Sequence, residues 1–121
     1  MTREEFEEVV SRALEDLPRG IQEAMENVAV VVRNWPTRQQ LYGNDVRSRY
    51  HLLGLYEGVP QTQRDTGYGM VLPDRITIFQ RPLERFYPNP AELAREIRNT
   101  VVHEVAHHFG ISDERLHEMG L

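Results

Sequence analysis

The chain has 121 residues, a length typical of one domain with a small hydrophobic core. Its formal net charge is −5 and all 14 of its basic residues are arginines, so its overall charge argues against non-specific nucleic-acid binding. The sequence contains no cysteine, which excludes disulfides, thiolate metal sites and a cysteine nucleophile.

The first ten residues, MTREEFEEVV, are acidic and amphipathic, a pattern that does not fit a signal peptide. No apolar run approaches the length of a membrane span. We therefore expect a cytoplasmic protein that binds neither membranes nor nucleic acid. The loose basic region formed by Arg33, Arg38, Arg47 and Arg49 is interpreted as a solvated surface.

The first third of the chain predicts two helical segments and a strand. Residues 2–17 carry apolar side chains at helical spacing, and Thr2 with Glu5 forms a capping-box pattern. A shorter helical piece runs from Ile21 to about Asn27. Residues 28–35 are β-branched and almost continuously apolar, which predicts a strand buried on both faces at the centre of a sheet.

The middle of the chain predicts more strands and loops. Residues 37–50 are polar and are expected to be irregular. His51 to Gly58 predicts a second strand that Gly54 weakens, and residues 59–74 are rich in turn formers and predict a long loop. Arg75 to Gln80 alternates cleanly and predicts a third strand. Residues 81–90 predict a helical turn followed by a proline-punctuated loop.

The last third predicts one long helix and one short one. The long helix runs from Pro90 to Gly110, with proline at its start and glycine at its end, as is typical of helices. Ser112 then caps a last short helix. The order of elements predicts a single α+β domain over residues 1–121, with N-terminal helices and a small β-sheet packed by the long helix.

Three of the five histidines fall within the segment HEVAHH near the end of the long helix. His103 and His107 lie one turn apart on one face, a spacing that allows two imidazoles to bind one zinc ion. Glu104 lies beside this pair, where it can take a proton from a metal-bound water. His108 falls in the apolar arc of the helix and is predicted to be a packed core histidine.

Two histidines do not complete a tetrahedral zinc site, so a third protein ligand is needed. Gly110 can end the helix and turn the chain back, which makes Asp113 the candidate third ligand. The alternative for Asp113 is an acid that favours the dipole of the last helix. His117 is a third ligand, an outer partner of the site or a solvated side chain, and Thr100 is a candidate support for a ligand.

The pattern His103-Glu104-x-x-His107-x-x-Gly110-x-x-Asp113 resembles that of zincin metallopeptidases, and of the metzincin branch with aspartate as third ligand. Further segments resemble the mini-zincins, a family of small bacterial proteins, over about two thirds of the chain. The quoted segments are LPDRITIFQRPLER, REIRNTVVHEVAHHFGISDERLHEMG and LLGLYEGVP.

This resemblance implies a small zincin-like domain with a mixed sheet above an active-site helix. It implies Zn²⁺ on His103, His107 and Asp113, with Glu104 as general base. It also implies that the strand Arg75 to Gln80 is an edge strand that pairs with an extended peptide. Larger metzincins carry a methionine turn under the zinc, and Met119 is the candidate for that place here.

The first functional hypothesis is a zinc metalloendopeptidase acting on a peptide or protein substrate. Two alternatives remain open at this point. One is a non-catalytic zinc-binding module, and the other is a metal-dependent ribonuclease of similar histidine spacing. The sequence sets neither the substrate nor the oligomeric state.

Overall fold

The computed structural model describes residues 1–58 and 73–121, and these form six helices and a three-stranded mixed sheet. The predicted α+β class is confirmed. The elements, in chain order, are α1 (Arg3–Glu15), α2 (Arg19–Ala24), β1 (Val28–Arg33), α3 (Arg38–Gly43), β2 (Gly54–Glu57), β3 (Asp74–Phe79), α4 (Gln80–Phe86), α5 (Pro90–Phe109) and α6 (Asp113–Glu118). The loop predicted at residues 59–74 lies outside the described residues, except for its last two positions.

The predicted N-terminal cap of α1 and the predicted C-terminal glycine of α5 are confirmed. The Thr2 hydroxyl accepts a hydrogen bond from the Glu5 amide, and the Glu5 carboxylate accepts one from the Thr2 amide. Hydrogen bonds to the Glu5 carboxylate, first from the Thr2 backbone amide and then from the Thr2 side chain, hold the pKa of Glu5 below its ordinary value. Helix α5 ends at Gly110, whose φ of 66° is a left-handed conformation that glycine adopts without strain.

The sheet has the order β1-β3-β2, with β1 parallel and β2 antiparallel to β3. The prediction that residues 28–35 form the central strand is therefore wrong. Strand β1 lies at one edge of the described sheet, and of its apolar residues only Val32 is buried. The prediction that β3 is the edge strand is also wrong, because β3 pairs on both sides.

Strand β3 is also covered on both of its faces. Ile76 and Ile78 face the main core, which α1, α2 and α5 also build. Phe79 points to the other face, where it packs with Leu52 and Leu55 in a second, smaller cluster. An alternating pattern therefore does not show whether a strand is covered on one face or on both, when the residues on both faces are apolar or small.

Helix α3 was not predicted, since residues 37–50 were expected to be irregular. Its signal was present in the sequence: the Thr37 hydroxyl accepts from the Gln40 amide, and the Gln40 side chain accepts from the Thr37 amide. This is a second capping box. Helix α3 was missed because it is short and buries none of its residues completely, so it has no apolar stripe to detect.

Helix α5 crosses the sheet close to β2. A Cβ atom placed on Gly54 would lie 2.5 Å from Thr100 Cγ2 and 3.3 Å from the Thr77 carbonyl oxygen. Only glycine leaves room for this approach, which explains a glycine in the middle of a predicted strand. Thr100 thus packs against the strand, whereas it was expected to support a metal ligand.

Within residues 1–58 and 73–121, no helix combines the length and the apolar character that crossing a membrane requires.

Candidate metal centre and active site

Helix α5 carries His103, Glu104 and His107 in its last two turns. His103 and His107 are exposed and Glu104 is half-buried. Neither histidine forms a hydrogen bond or an ion pair with another residue in the described part of the chain. Their role as metal ligands therefore stays a prediction, with no internal partner among the described residues to compete for either imidazole.

The Glu104 carboxylate is held by the backbone of the neighbouring strand. Its Oε2 atom accepts a hydrogen bond of 2.9 Å from the Tyr56 amide in β2. This amide points toward α5 and not toward β3. It is therefore one of the backbone groups at the outer edge of β2 that do not pair with β3. Oε1 has no hydrogen-bond partner among the described residues.

The Tyr56 side chain fixes the strand against the end of α5. Its ring stacks on His108 with centroids 3.9 Å apart and an angle of 18° between the planes. Its hydroxyl donates a hydrogen bond of 2.5 Å to Asp74 Oδ2, and His108 Nε2 lies 3.8 Å from the same oxygen. The backbone amide that holds Glu104 is thus positioned by contacts on the side chain of the same residue.

The prediction that His108 is a core histidine is wrong. Its side chain is 40% exposed and lies on the Tyr56 ring, outside the main core. The helical wheel placed it in the apolar arc correctly, but the last turn of α5 extends beyond the residues that cover that arc. Phe109, in the same turn, is also largely exposed, at 47%.

Asp113 is the first residue of α6 and is exposed. Ser112 caps the helix by accepting from the Arg115 amide, as predicted. In the described part of the chain, no group of three or more histidine, cysteine, aspartate or glutamate side chains is arranged to hold a metal ion. The assignment of His103, His107 and Asp113 as zinc ligands therefore stays a prediction.

His117 and Met119, the two C-terminal residues with candidate roles, differ in their surroundings. His117 is exposed near the end of α6. Met119 packs on the main core and approaches α2, where its Cε lies 3.0 Å from a Cβ placed on Gly20. This contact ties the C-terminus to the N-terminal helices.

The donor chemistry of the site fits zinc. Imidazole nitrogens one helical turn apart are ordinary zinc ligands, and a carboxylate beside them is the usual proton acceptor. The fit is partial, since a zinc site with catalytic function uses three protein ligands.

Sequence reasoning missed Tyr56 and Asp74. Tyr56 is a strand residue whose backbone amide makes the decisive contact, and a backbone amide carries no residue-specific signal. Asp74 is only 9% exposed, and its position at the end of a turn-rich segment suggested an exposed loop residue.

The elements around the site define a class of protein. A long helix presents a histidine pair and a glutamate beside the antiparallel outer strand of a small mixed sheet, an arrangement suited to metal-assisted hydrolysis. A family model described as zincin-like metallopeptidase matches residues 25–121. The chain belongs to the zincin-like metallopeptidase family. A search of curated proteins gave no match.

Proposed function

We propose that the protein is a zinc-dependent metallopeptidase that hydrolyses peptide bonds with Glu104 as general base. The observation that carries this proposal is the hydrogen bond from the Tyr56 amide to Glu104 Oε2. It fixes Oε2 of a glutamate that directly follows the exposed His103, and it leaves Oε1 to act. Membership of the zincin-like metallopeptidase family supports the same chemistry.

His103 and His107 would hold the zinc ion, with Asp113 as third ligand. When bound, zinc would polarise the substrate carbonyl and lower the pKa of water. Because Asp113 lies in the first turn of the exposed helix α6, this ligand set requires the Gly110 turn to bring α6 closer to α5.

Glu104 performs the proton transfers. Oε1 takes a proton from the attacking water as its oxygen bonds to the carbonyl carbon, and it delivers that proton to the amide nitrogen as the C–N bond breaks. The Tyr56 amide holds the other carboxylate oxygen, Oε2, in place. The substrate would approach from the β2 side, because β2 is the strand that faces Glu104.

The proposal is tested by digesting a broad peptide library with the zinc-loaded protein. We expect cleavage that stops when a chelator removes the metal and returns when zinc is added back. Cleavage that persists without metal would exclude the zinc mechanism. Zinc binding without cleavage of any peptide would favour a non-catalytic zinc-binding module.

A further inference from the structure

A second surface of the molecule combines arginines with aromatic side chains. Residues 33–53 contain four arginines and a single acidic residue, Asp45, although the whole chain has a net charge of −5. Arg38, Arg47 and Arg49 line one cavity of about 450 Å³ together with Trp35. That volume lies within the range of ligand pockets. We call this the arginine–aromatic surface.

The arginines that line this cavity lack the acidic partners that several other arginines of the described chain have. Six arginines elsewhere in the described chain form ion pairs with aspartate or glutamate: Arg12, Arg19, Arg75, Arg81, Arg98 and Arg115. Within residues 1–58 and 73–121, Arg38, Arg47 and Arg49 form none. Their positive charge is therefore not neutralised by the described neighbours.

Two guanidinium groups are held in place on aromatic rings. The Arg49 guanidinium lies 4.0 Å from the centroid of Trp35 and 5.4 Å from that of Tyr50, and Arg85 lies 5.4 Å from Tyr50 on the same ring. Stacking immobilises a guanidinium and leaves its N–H edges directed outward. Such a group is prepared to bind a carboxylate in two parallel hydrogen bonds.

An apolar groove adjoins the arginines. It has a volume of about 280 Å³ and is lined by Tyr50, His51, Leu53, Phe86 and Tyr87. Phe86 is 48% exposed in this groove. Tyr50 joins the two parts, since it lines the apolar groove and carries the guanidiniums of Arg49 and Arg85.

The position of the surface relates it to the candidate active site. Because β2 is antiparallel to β3, the start of β2 and the ends of β1 and β3 lie at the same end of the sheet. Trp35 follows β1 and residues 50–53 lead into β2. A peptide lying along β2 from Tyr56 toward Tyr50 spans at most about 20 Å, the length of six extended residues.

We propose that the arginine–aromatic surface binds an acidic peptide segment in which carboxylates stand next to an apolar side chain. The carboxylates occupy the arginine cavity and the apolar side chain occupies the groove at Phe86. A single-stranded nucleic acid also suits stacked arginines and aromatics, but the net charge of −5 disfavours a polyphosphate chain. The use of this surface to select substrates rests on the proposed peptidase function, whereas the binding itself does not.

Trp35 is the single tryptophan of the chain, so its fluorescence reports on this cavity directly. The test titrates the full-length protein with a short peptide that carries glutamates beside a phenylalanine, and with the same peptide carrying glutamines. We expect a saturable change in Trp35 emission with the glutamate peptide only. The Glu104→Gln protein should show the same change in emission. The binding test therefore remains valid even if the peptidase proposal fails.

The variant R38Q/R47Q should lower the affinity for the glutamate peptide by at least about tenfold, because charge-assisted hydrogen bonds are lost. Neither of these arginines stacks on Trp35, so the fluorescence signal remains. The control R12Q/R19Q changes the net charge equally at exposed helix positions and should bind as the wild type does.

Three results would overturn the proposal. They are equal binding of the glutamine peptide, an equal loss in both double variants, and a response to an oligouridylate that exceeds the response to the glutamate peptide. The last of these would assign the surface to single-stranded nucleic acid.

Discussion

Glu104 and Tyr56 meet because α5 passes beside the outer antiparallel strand of the sheet. The proposed acid–base residue is predicted from the sequence, since His103, Glu104 and His107 have a spacing that metal chemistry requires. The group that orients Glu104 is a backbone amide, which every residue except proline has. The sequence therefore predicts the acid–base residue and not its partner.

Asp113 is the third ligand of the proposed zinc site, and its substitution tests this role. We expect D113N to weaken zinc binding by more than about tenfold, because loss of a ligand costs at least as much as loss of an outer-shell partner. Zinc affinity is measured by competition with a chelating dye.

The neighbouring variant E114Q is the control for D113N. It removes an equivalent charge from the first turn of α6 without removing the proposed ligand. If D113N and E114Q both bind zinc as the wild type does while H117A does not, the third ligand is His117.

At the scale of elements, the long helices α1 and α5 were predicted well, whereas the short helix α3 and the order of the strands were not. Thr2, Ser112 and Gly110 cap helices through contacts with residues nearby in sequence. Such helix ends can therefore be predicted from the local sequence. The place of a strand depends on what covers it from distant parts of the chain. Strand β1 is more apolar than β3, yet β3 is the one that receives cover on both faces.

The close approach of α5 to β2 yields a stability prediction. We expect G54A to lower the free energy of unfolding by about 1–3 kcal/mol, because the added methyl overlaps Thr100 Cγ2. Adding T100S, which removes that Cγ2 atom, should recover most of the loss. Urea denaturation of the two single variants and the double variant measures the coupling.

Gly43, at the end of α3, is the control for this effect, since a Cβ there meets nothing within 4 Å. G43A should leave stability nearly unchanged. A G54A protein as stable as G43A would show that α5 does not approach β2 as closely as the structure has it.

At the scale of the whole molecule, the N-terminal helices belong to the fold although they precede the matched family region. The match begins at residue 25, whereas α1 and α2 end before it. Phe6 in α1 and Ile21 in α2 are fully buried in the main core. Buried Gln80 adds a polar link, since it accepts from Arg3 and donates to the Met1 carbonyl.

We therefore expect F6A to lower the free energy of unfolding by about 3–5 kcal/mol, as for other large-to-small changes in a core. F86A, at a side chain that is 48% exposed, should cost about 0.5 kcal/mol or less. Chemical denaturation of both variants provides the comparison. Equal effects would mean that α1 does not contribute to a common core.

The fold class, the long helix and the histidine–glutamate motif were thus predicted from the sequence alone. The edge position of β2, the stacking of Tyr56 on His108 and the burial of Asp74 were not, because each depends on segments that meet only in the folded chain. The arginine–aromatic surface lay between these cases: its charges were visible, but Trp35 and Tyr50 joined them only through tertiary contacts.

The most direct test of the central claim compares peptide hydrolysis by wild-type and E104Q proteins at equal zinc content. We expect E104Q to keep its zinc and to lose activity by a factor on the order of 10²–10⁴, the usual contribution of a general base. E92Q, at an exposed position in the first turn of the same helix, should retain full activity. Hydrolysis by E104Q at the wild-type rate would contradict the account.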